Sequence, residues 1–367
     1  MKAAVLYEFN SPFSIEEVDL APPKDDEVLV SLRASGVCGS DLTASKGLSR
    51  AFLPAILGHE ASGVVESVGA AVTRVSPGDH VILSWAPNCG HCFYCEKSLP
   101  VMCDAYGAAG NAGGLWDQTS RLSKDGKSIN HYSCVSSFAE KAVVPEAGCI
   151  RIDKDIPFAV AALIGCAVTT GFGAVVNDAK VGAGDAVGVI GVGGVGINAL
   201  QAAVISGAAT VVAIDIDPAK EAVARRFGAT HFVRADAPDM ADTLLDLTNR
   251  RGLDSTIECT GNPAALVSAY SSLRAGGKMV SVGIAASDSE FIISAASIPN
   301  SQRHIIGSSY GGANPEKDIR RILALYRAGK YDLDNQIGQQ IALDDINSAF
   351  DALRSGVSAR TVICFSS

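Results

Sequence analysis

Gly191-Val192-Gly193-Gly194-Val195-Gly196 is the segment that most restricts how this chain can fold. An apolar run, AVGVIG, leads into it, a helical stretch over Val195–Ser206 follows, and a second apolar run, TVVAID, ends at Asp215, 19 residues beyond Gly196. Glycines at G-x-G-x-x-G spacing permit a tight turn after a strand and bring backbone N–H groups close to a pyrophosphate. The helix N-terminus that follows favours the same anion. Asp215, ending the next strand, is placed to accept hydrogen bonds from adenosine ribose hydroxyls and to repel a 2′-phosphate. The expectation is a dinucleotide site formed by Gly191, Val192, Gly193, Gly194, Val195, Gly196 and Asp215, with NAD preferred over NADP. Lys220 and Arg225 lie near enough in sequence to compete with that preference.

Around this loop the chain alternates between strand and helix. A helix over Pro218–Phe227 and apolar strands at Ser255–Cys259 and Lys278–Val282 continue the series. Such a pattern predicts a parallel sheet covered on both faces. Residues 1 to about 165 have a different rhythm. Ala3–Tyr7, Glu27–Ala34, Ala61–Val68 and His80–Leu83 are short strand-like runs, punctuated by Pro and Gly as in Ser76-Pro77-Gly78-Asp79. Beyond about 310, amphipathic helices near Lys317–Arg327 and Asp344–Arg354 precede a final strand at Arg360–Phe365. A chain of 367 residues exceeds one usual domain. The expected class is α/β, with a β-rich domain over 1–167, a doubly wound parallel-sheet domain over 168–309, and a closing stretch over 310–367.

A net charge of −9 excludes nucleic acid as the expected partner, since that partner demands clustered Lys and Arg. No run of 18 wholly apolar residues is present and the N-terminus has no secretory pattern, so no membrane is expected and a cytoplasmic address is the default. Ten cysteines are many for a reducing compartment, and four of them (Cys89, Cys92, Cys95 and Cys103) fall within 15 residues. In a long chain without an export signal these read as metal ligands rather than a disulfide framework. Four thiolates close a tetrahedral Zn²⁺ shell with no open position, the pattern of a structural site. An iron–sulfur cluster is the rival occupant. A second site would have to be assembled from Cys38, His59 and Cys166, which are far apart in sequence, and taken singly each has an ordinary reading as a buried cysteine or structural histidine.

GVCGSD, GHEASGVVESVG, the cysteine lobe, GCAVTTGFGAV and GVGGVG occur in an order and spacing that resembles the zinc-containing medium-chain alcohol dehydrogenases over nearly the whole chain. The resemblance implies a GroES-like β-rich catalytic domain, interrupted by a Rossmann domain and completed by the C-terminal stretch. It implies two Zn²⁺ per subunit. Cys38, His59 and Cys166 would hold the catalytic ion, with the fourth position left for water or the oxygen of an alcohol or carbonyl substrate. Zinc would lower the alcohol pKa, and a hydride would pass between the alcohol carbon and nicotinamide. Ser40 resembles the hydroxyl that begins the proton relay. Asp41 would orient His59, and Glu60 would lie near the metal. Thr170 resembles a residue packing on nicotinamide, Lys220 and Arg360 resemble residues reaching ribose and pyrophosphate, and Trp85 and Tyr132 resemble substrate-pocket positions that suit hydrophobic or aryl alcohols.

The chain departs from the family pattern in places. Thr43 stands where many relatives carry the outer histidine of the relay, which implies proton release through water or the cofactor ribose. Gly39 stands where a cation often meets the pyrophosphate. GCAVTTGFGAVVNDAK resembles the glutathione-dependent formaldehyde dehydrogenases, yet Thr43–Arg50 (TASKGLSR) is basic where they are acidic. A thiol-adduct or polyol dehydrogenase therefore stays open as an alternative substrate reading. A catalytically silent NAD-binding protein is the alternative of another class, and it would be signalled by loss of a catalytic zinc ligand. The Gly- and Ser-rich stretch Asp104–Ser137 resembles dimeric members, so a homodimer is expected, with a tetramer as the other assembly.

Overall fold

The computed structural model describes residues 1–286, 288–356 and 360–366. Contacts group the chain into two units, one of Met1–Cys166, Asn314–Leu323 and Leu333–Ser367, the other of Ala167–Ala313 and Ala324–Asp332. The N-terminal unit thus regains the chain near 314, and a short segment at 324–332 belongs to the second unit.

In the first unit, strand Glu27–Gly36 (EVLVSLRASG) alternates buried and half-buried positions over most of its length and organises a seven-stranded sheet. Glu60–Val68, Lys141–Pro145 and the C-terminal strand Arg360–Cys364 all pair with it antiparallel. Val28, Val30, Leu32, Val65, Val81 and Val144 fill the core beneath. Removing apolar surface of this extent from water is the main force holding the sheet together. In a second, six-stranded sheet, Ala55–Ile56 runs parallel to Lys127–His131, with Ile56 opposite His131. Parallel pairing sends both chains out of the same end, so Leu57-Gly58-His59 and Tyr132 leave the sheet side by side.

In the second unit all six strands are parallel, in the order His231–Arg234, Thr210–Asp215, Ala186–Ile190, Leu253–Glu258, Leu273–Ser281, His304–Gly307. The strand order reverses at Ala186–Ile190, which places Gly191 at the switch point where a doubly wound sheet opens a binding crevice. Helix Gly194–Ile205 follows directly. The reading of a helix over Pro218–Phe227 resolves into a 3₁₀ turn, Pro218–Lys220, capped by the Asp217 side chain, and a helix, Glu221–Arg226. Among the elements not legible in the sequence are helix Asp104–Ala112 and strands Leu122–Lys124 and Lys127–His131, all inside the Gly- and Ser-rich stretch.

The helical segment Phe158–Ala179 is long and apolar enough to cross a membrane by length and composition, although no strictly unbroken run of 18 apolar residues occurs in it. It is a core helix, because 89% of its most apolar window is buried inside the protein. It is also irregular: π-helical turns at Ile164–Val168 and Ala174–Ala179 interrupt it. Cys166 sits on the first of these, and such turns are frequent at functional sites.

Candidate active site and metal centres

Two groups of ligand atoms converge in the first unit. Cys38, His59, Glu60 and Cys166, all buried, bring one ligand atom each to within 4.8 Å of one another, and Cys89, Cys92, Cys95 and Cys103 do the same. Two sulfurs and a nitrogen around one tetrahedral ion lie roughly 3.3–3.8 Å apart, so both groups need little movement to close on Zn²⁺.

Local structure explains the first group. Cys38 precedes helix Gly39–Ser45, and its N–H donates to Asp41 Oδ2 at 3.1 Å. Gly58 N–H donates to Asp41 Oδ1 at 3.2 Å, and His59 Nδ1 meets the same oxygen at 2.8 Å. A fully buried Asp41 therefore fixes the histidine ring, with Nδ1–H on the carboxylate. His59 Nε2 is left buried with no hydrogen-bond partner, aimed into the cluster. A buried polar atom without a partner is costly in a finished protein, and a metal ligand is the role that satisfies it. Burial alone would push His59 down; the Asp41 carboxylate outweighs it and holds the ring well above its usual range. The hydrogen bond from Cys166 is the largest of the effects that pull the Cys38 thiol well below its usual range.

Glu60 completes the group, but its carboxylate is engaged by Arg360, in an ion pair with both side chains almost wholly buried. The Arg360 guanidinium also reaches the Val37 carbonyl at 3.3 Å. Burial pushes the Glu60 acid up to about 8, against the pull of Arg360. Three protein ligands and one open position result, the arrangement of a catalytic zinc. Gly36 makes room for it: a Cβ there would lie 2.1 Å from Glu60 Oε2. No spacing in the sequence pointed to Gly36.

The second group is closer to solvent. Cys89 N–H donates to Cys103 Sγ at 3.3 Å, Asp104 N–H donates to Cys92 Sγ at 3.4 Å, and Cys92 and Cys103 sulfurs lie 3.9 Å apart. Backbone donors, Cys95 first, bring the Cys92 thiol down to about 6. The sulfur separation matches one tetrahedral ion with sulfurs about 3.8 Å apart, and all four positions are taken.

Several predicted residues sit elsewhere than in the metal groups. The Cys38 thiol points to Ser40 Oγ at 3.7 Å, which puts that hydroxyl at the edge of the mixed group. The Thr43 hydroxyl donates back to the Gly39 carbonyl at 3.0 Å, so it caps its own helix turn. Tyr132 stands edge-on to His59, with ring centroids 5.8 Å apart at 76°. Trp85 meets Tyr106 at 5.8 Å and 63°. Tyr106 escaped the sequence reading because it lies in a helix that the glycine-rich composition concealed.

In the second unit each glycine of the dinucleotide loop has its own reason. Gly191 adopts φ +91°, a Cβ at Gly196 would strike the Gly191 carbonyl at 1.9 Å, and Gly193 faces open space with nothing within 4 Å. That open side is where a pyrophosphate can reach the helix start, which has no side-chain cap. Thr170 is buried on the turn Thr169–Gly173, which crosses the helix closely: a Cβ at Gly171 would lie 2.4 Å from the Val195 carbonyl. Asp215 accepts from Val192 N–H at 2.7 Å, Asp217 N–H at 3.0 Å and Lys220 Nζ at 3.2 Å. Its two oxygens keep capacity for a ribose hydroxyl. Lys220, expected at the cofactor, is held by Asp215, and Arg360, expected at the pyrophosphate, is held by Glu60. Arg225 forms an exposed ion pair with Glu221 at 2.8 Å, one turn back on its own helix. Glu258, also missed, is fully buried beside the loop and accepts from Thr260 N–H at 2.7 Å and Gly261 N–H at 3.1 Å.

Comparison with known proteins agrees with this geometry. A family described as alcohol dehydrogenase GroES-like domain matches residues 24–154, and one described as zinc-binding dehydrogenase matches 194–327. Alcohol dehydrogenase class-3 from Cereibacter sphaeroides is 37% identical over 375 residues, covering 99% of each chain. S-(hydroxymethyl)glutathione dehydrogenase from Escherichia coli is 38% identical over 366 residues, again with 99% of both covered. This chain belongs to the zinc-containing alcohol dehydrogenase family. The crystal structure of benzyl alcohol dehydrogenase from Acinetobacter calcoaceticus superposes with a TM-score of 0.94 at 30% identity, covering 100% of this chain and 99% of that one.

Membership makes the chain an NAD-linked oxidoreductase that carries zinc, and both cysteine groups fit that metal. Two soft thiolates and one imidazole would hold zinc with a position left for a substrate oxygen, as a Lewis acid; four thiolates would hold it closed, as a structural ion.

Proposed function

We propose that this alcohol dehydrogenase reversibly oxidises hydrophobic and aryl primary alcohols to aldehydes. The observation that carries the reading is the Tyr132 ring, which lies edge-on to His59 at the mixed metal group; Trp85 and Tyr106 form a further aromatic pair. Rings beside the reacting position suit a flat apolar substrate.

When bound, zinc supplies Lewis acidity toward the alcohol oxygen and NAD supplies the hydride acceptor. The rest falls to the chain. Asp41 fixes the His59 ring, and Arg360 draws Glu60 to one side so that the fourth position stays available. Ser40 Oγ accepts the proton leaving the substrate hydroxyl. Thr43 is turned to its own helix and does not extend that path, so Ser40 would pass its own proton on to water or, with NAD bound, to the ribose. Gly193 and the uncapped helix start would hold the pyrophosphate, and Asp215 would favour NAD by accepting from its ribose hydroxyls.

A second reading takes S-(hydroxymethyl)glutathione as substrate, favoured by the names of the class-3-type relatives at 36–38% identity. The basic Thr43–Arg50 segment argues against it. Steady-state kinetics on benzyl alcohol, ethanol and S-(hydroxymethyl)glutathione, each with NAD and NADP, separates the two. The highest kcat/KM is expected for benzyl alcohol with NAD; a dominant thiol adduct overturns the aryl reading.

The proposal includes a homodimer in the cytoplasm. Among the described residues no strand pairs with the outer edge of His304–Gly307, and Ile305 on that strand is 42% exposed. An unpaired, apolar edge is a template for a second copy. None of the ten cysteines is joined in a disulfide, which suits a reducing compartment. Light scattering on the purified chain is expected to give twice the monomer mass.

A further inference from the structure

The segment that follows Tyr132 is unusual in its backbone. Ser133, Cys134 and Ser136 have φ of +53°, +54° and +56°. None is glycine, and left-handed backbone at three of four such residues persists only where the surroundings enforce it.

The surroundings that enforce it all converge on Tyr132. Ser136 Oγ accepts the Tyr132 N–H at 2.9 Å, while the Tyr132 carbonyl accepts from Val135 and Ser136 N–H at 3.0 and 3.1 Å. Tyr132 is thus gripped at both its donor and its acceptor. Ser136 Oγ lies 3.4 Å from His131 Nδ1, and His131 Nε2 lies 3.3 Å from the Arg121 N–H. A backbone N–H can only donate, so Nε2 is the acceptor and the neutral ring carries its proton on Nδ1, toward Ser136. At its far end the loop is fastened to the residues before the metal-binding histidine. Ser137 N–H donates to the Gly58 carbonyl and Phe138 N–H to that of Leu57, each at 3.0 Å. Gly58, at φ +88°, has no room for a side chain, since a Cβ would meet Ser137 Oγ at 2.6 Å. The segments that carry Tyr132 and His59 are therefore hydrogen-bonded to one another.

We infer that His131–Ser136 is a strained clamp that sets the Tyr132 ring against the metal pocket and so determines which alcohols fit, with Ser136 and His131 as positioning residues. This deepens the aryl-alcohol reading and rests on it. Ordinary loop closure would use Gly or Asn at such backbone angles. Here the clamp uses Ser136, whose hydroxyl holds Tyr132 in place. Without it the ring gains freedom, and a substrate that packs on it loses a fixed wall, whereas a two-carbon alcohol loses little.

The test is steady-state kinetics of Ser136→Ala with benzyl alcohol and ethanol, alongside zinc content and melting temperature. The variant is expected to keep two zinc ions and to raise the benzyl alcohol KM about tenfold, the lower end of what a change in pocket shape produces. Its kcat and its ethanol KM should stay within about twofold of the wild type. Equal changes for both alcohols, no change for either, or loss of the catalytic zinc would overturn the clamp. His131→Gln keeps an acceptor for Arg121 but drops the contact to Ser136; a smaller shift of the same kind is expected, and this variant decides the matter if Ser136→Ala does not fold. Should the wild type oxidise no alcohol, the functional reading fails separately. The dissociation constant of benzyl alcohol, followed by tryptophan fluorescence, then judges the clamp: a tenfold weaker value in Ser136→Ala upholds it and an equal value overturns it.

Discussion

The two cysteine-bearing groups in the first unit place ligand atoms equally close together and differ in almost everything else. The group of Cys38, His59 and Cys166 is drawn from three distant stretches, is buried, and has its histidine oriented by a carboxylate. The group of Cys89, Cys92, Cys95 and Cys103 comes from one short lobe, is partly exposed, and is steadied by backbone N–H donors to sulfur. The difference teaches what each ion is for. A local loop closed by four thiolates gains order from its metal, which is folding energy. A site assembled from three stretches is already ordered by the sheet, so its metal is free for chemistry, and three ligands would leave it a position for a substrate oxygen. Glu60 sharpens the contrast, since a fourth ligand lies at hand and is held aside by Arg360.

The sharpest way to break this comparison is to remove one ligand from each group. His59→Gln fills the same space and keeps a donor for Asp41, but makes a poor zinc ligand. Losing several kcal/mol of Lewis acidity should cut kcat/KM roughly a thousandfold or more. One zinc per chain should remain by metal analysis, with the melting temperature little changed. Cys103→Ala should do the reverse. A loss of about 3 kcal/mol from the lobe would lower the melting temperature by roughly 5–10 °C, and residues 89–113 should become sensitive to protease, while folded protein keeps its catalytic zinc and most of its kcat. If both variants lose activity and stability together, the two groups are not distinct in the way the geometry argues.

A gentler change asks how much of the catalytic group's order comes from its hydrogen bonds. Asp41 takes the His59 ring and the N–H groups of Cys38 and Gly58. Asp41→Asn turns an NH₂ toward a backbone donor and removes the charge behind the imidazole. Partners of this kind are worth about 10- to 100-fold in metal affinity. Competition with a chelator should show that weakening at one zinc only, with the lobe ion retained as in the wild type. An equal weakening of both would mean that the lobe depends on the catalytic group.

What could be read from the sequence followed the same division. The lobe and the glycine loop are local: their ligands and turns lie within 15 and six residues, and spacing alone carried them. The parallel sheet followed from continuously apolar strands: its four central strands fall close to the positions expected, whereas the edge strands His231–Arg234 and His304–Gly307, less buried, gave no such signal. The catalytic group is non-local, and only resemblance joined Cys38 to His59 and Cys166. Nothing in the sequence signalled the Glu60–Arg360 pair, the space kept by Gly36, or Tyr106, because each depends on which surfaces the sheet brings together. Lys220 and Arg360 show the limit from the other side. Their charge was legible, but the carboxylate each would meet was not.

The smallest effect concerns the scaffold that both groups share, and it must be subtracted before acid-induced zinc loss can be assigned to either. His131 is buried against Arg121, and burial, then the nearby guanidinium, push its pKa from 6.5 down to about 3. The unfolded chain takes up a proton below pH 6.5, while the folded one resists until about pH 3. The stability this imidazole contributes is therefore complete above pH 6.5 and is lost progressively as the pH falls between those values. At pH 5 the loss should amount to roughly 1–2 kcal/mol. His131→Gln cannot titrate, so the fall in melting temperature between pH 7 and pH 5 should be smaller in the variant than in the wild type by the corresponding few degrees. Parallel melting curves would show instead that His131 is protonated in the folded protein, and the tautomer that donates to Ser136 would have to be reassigned.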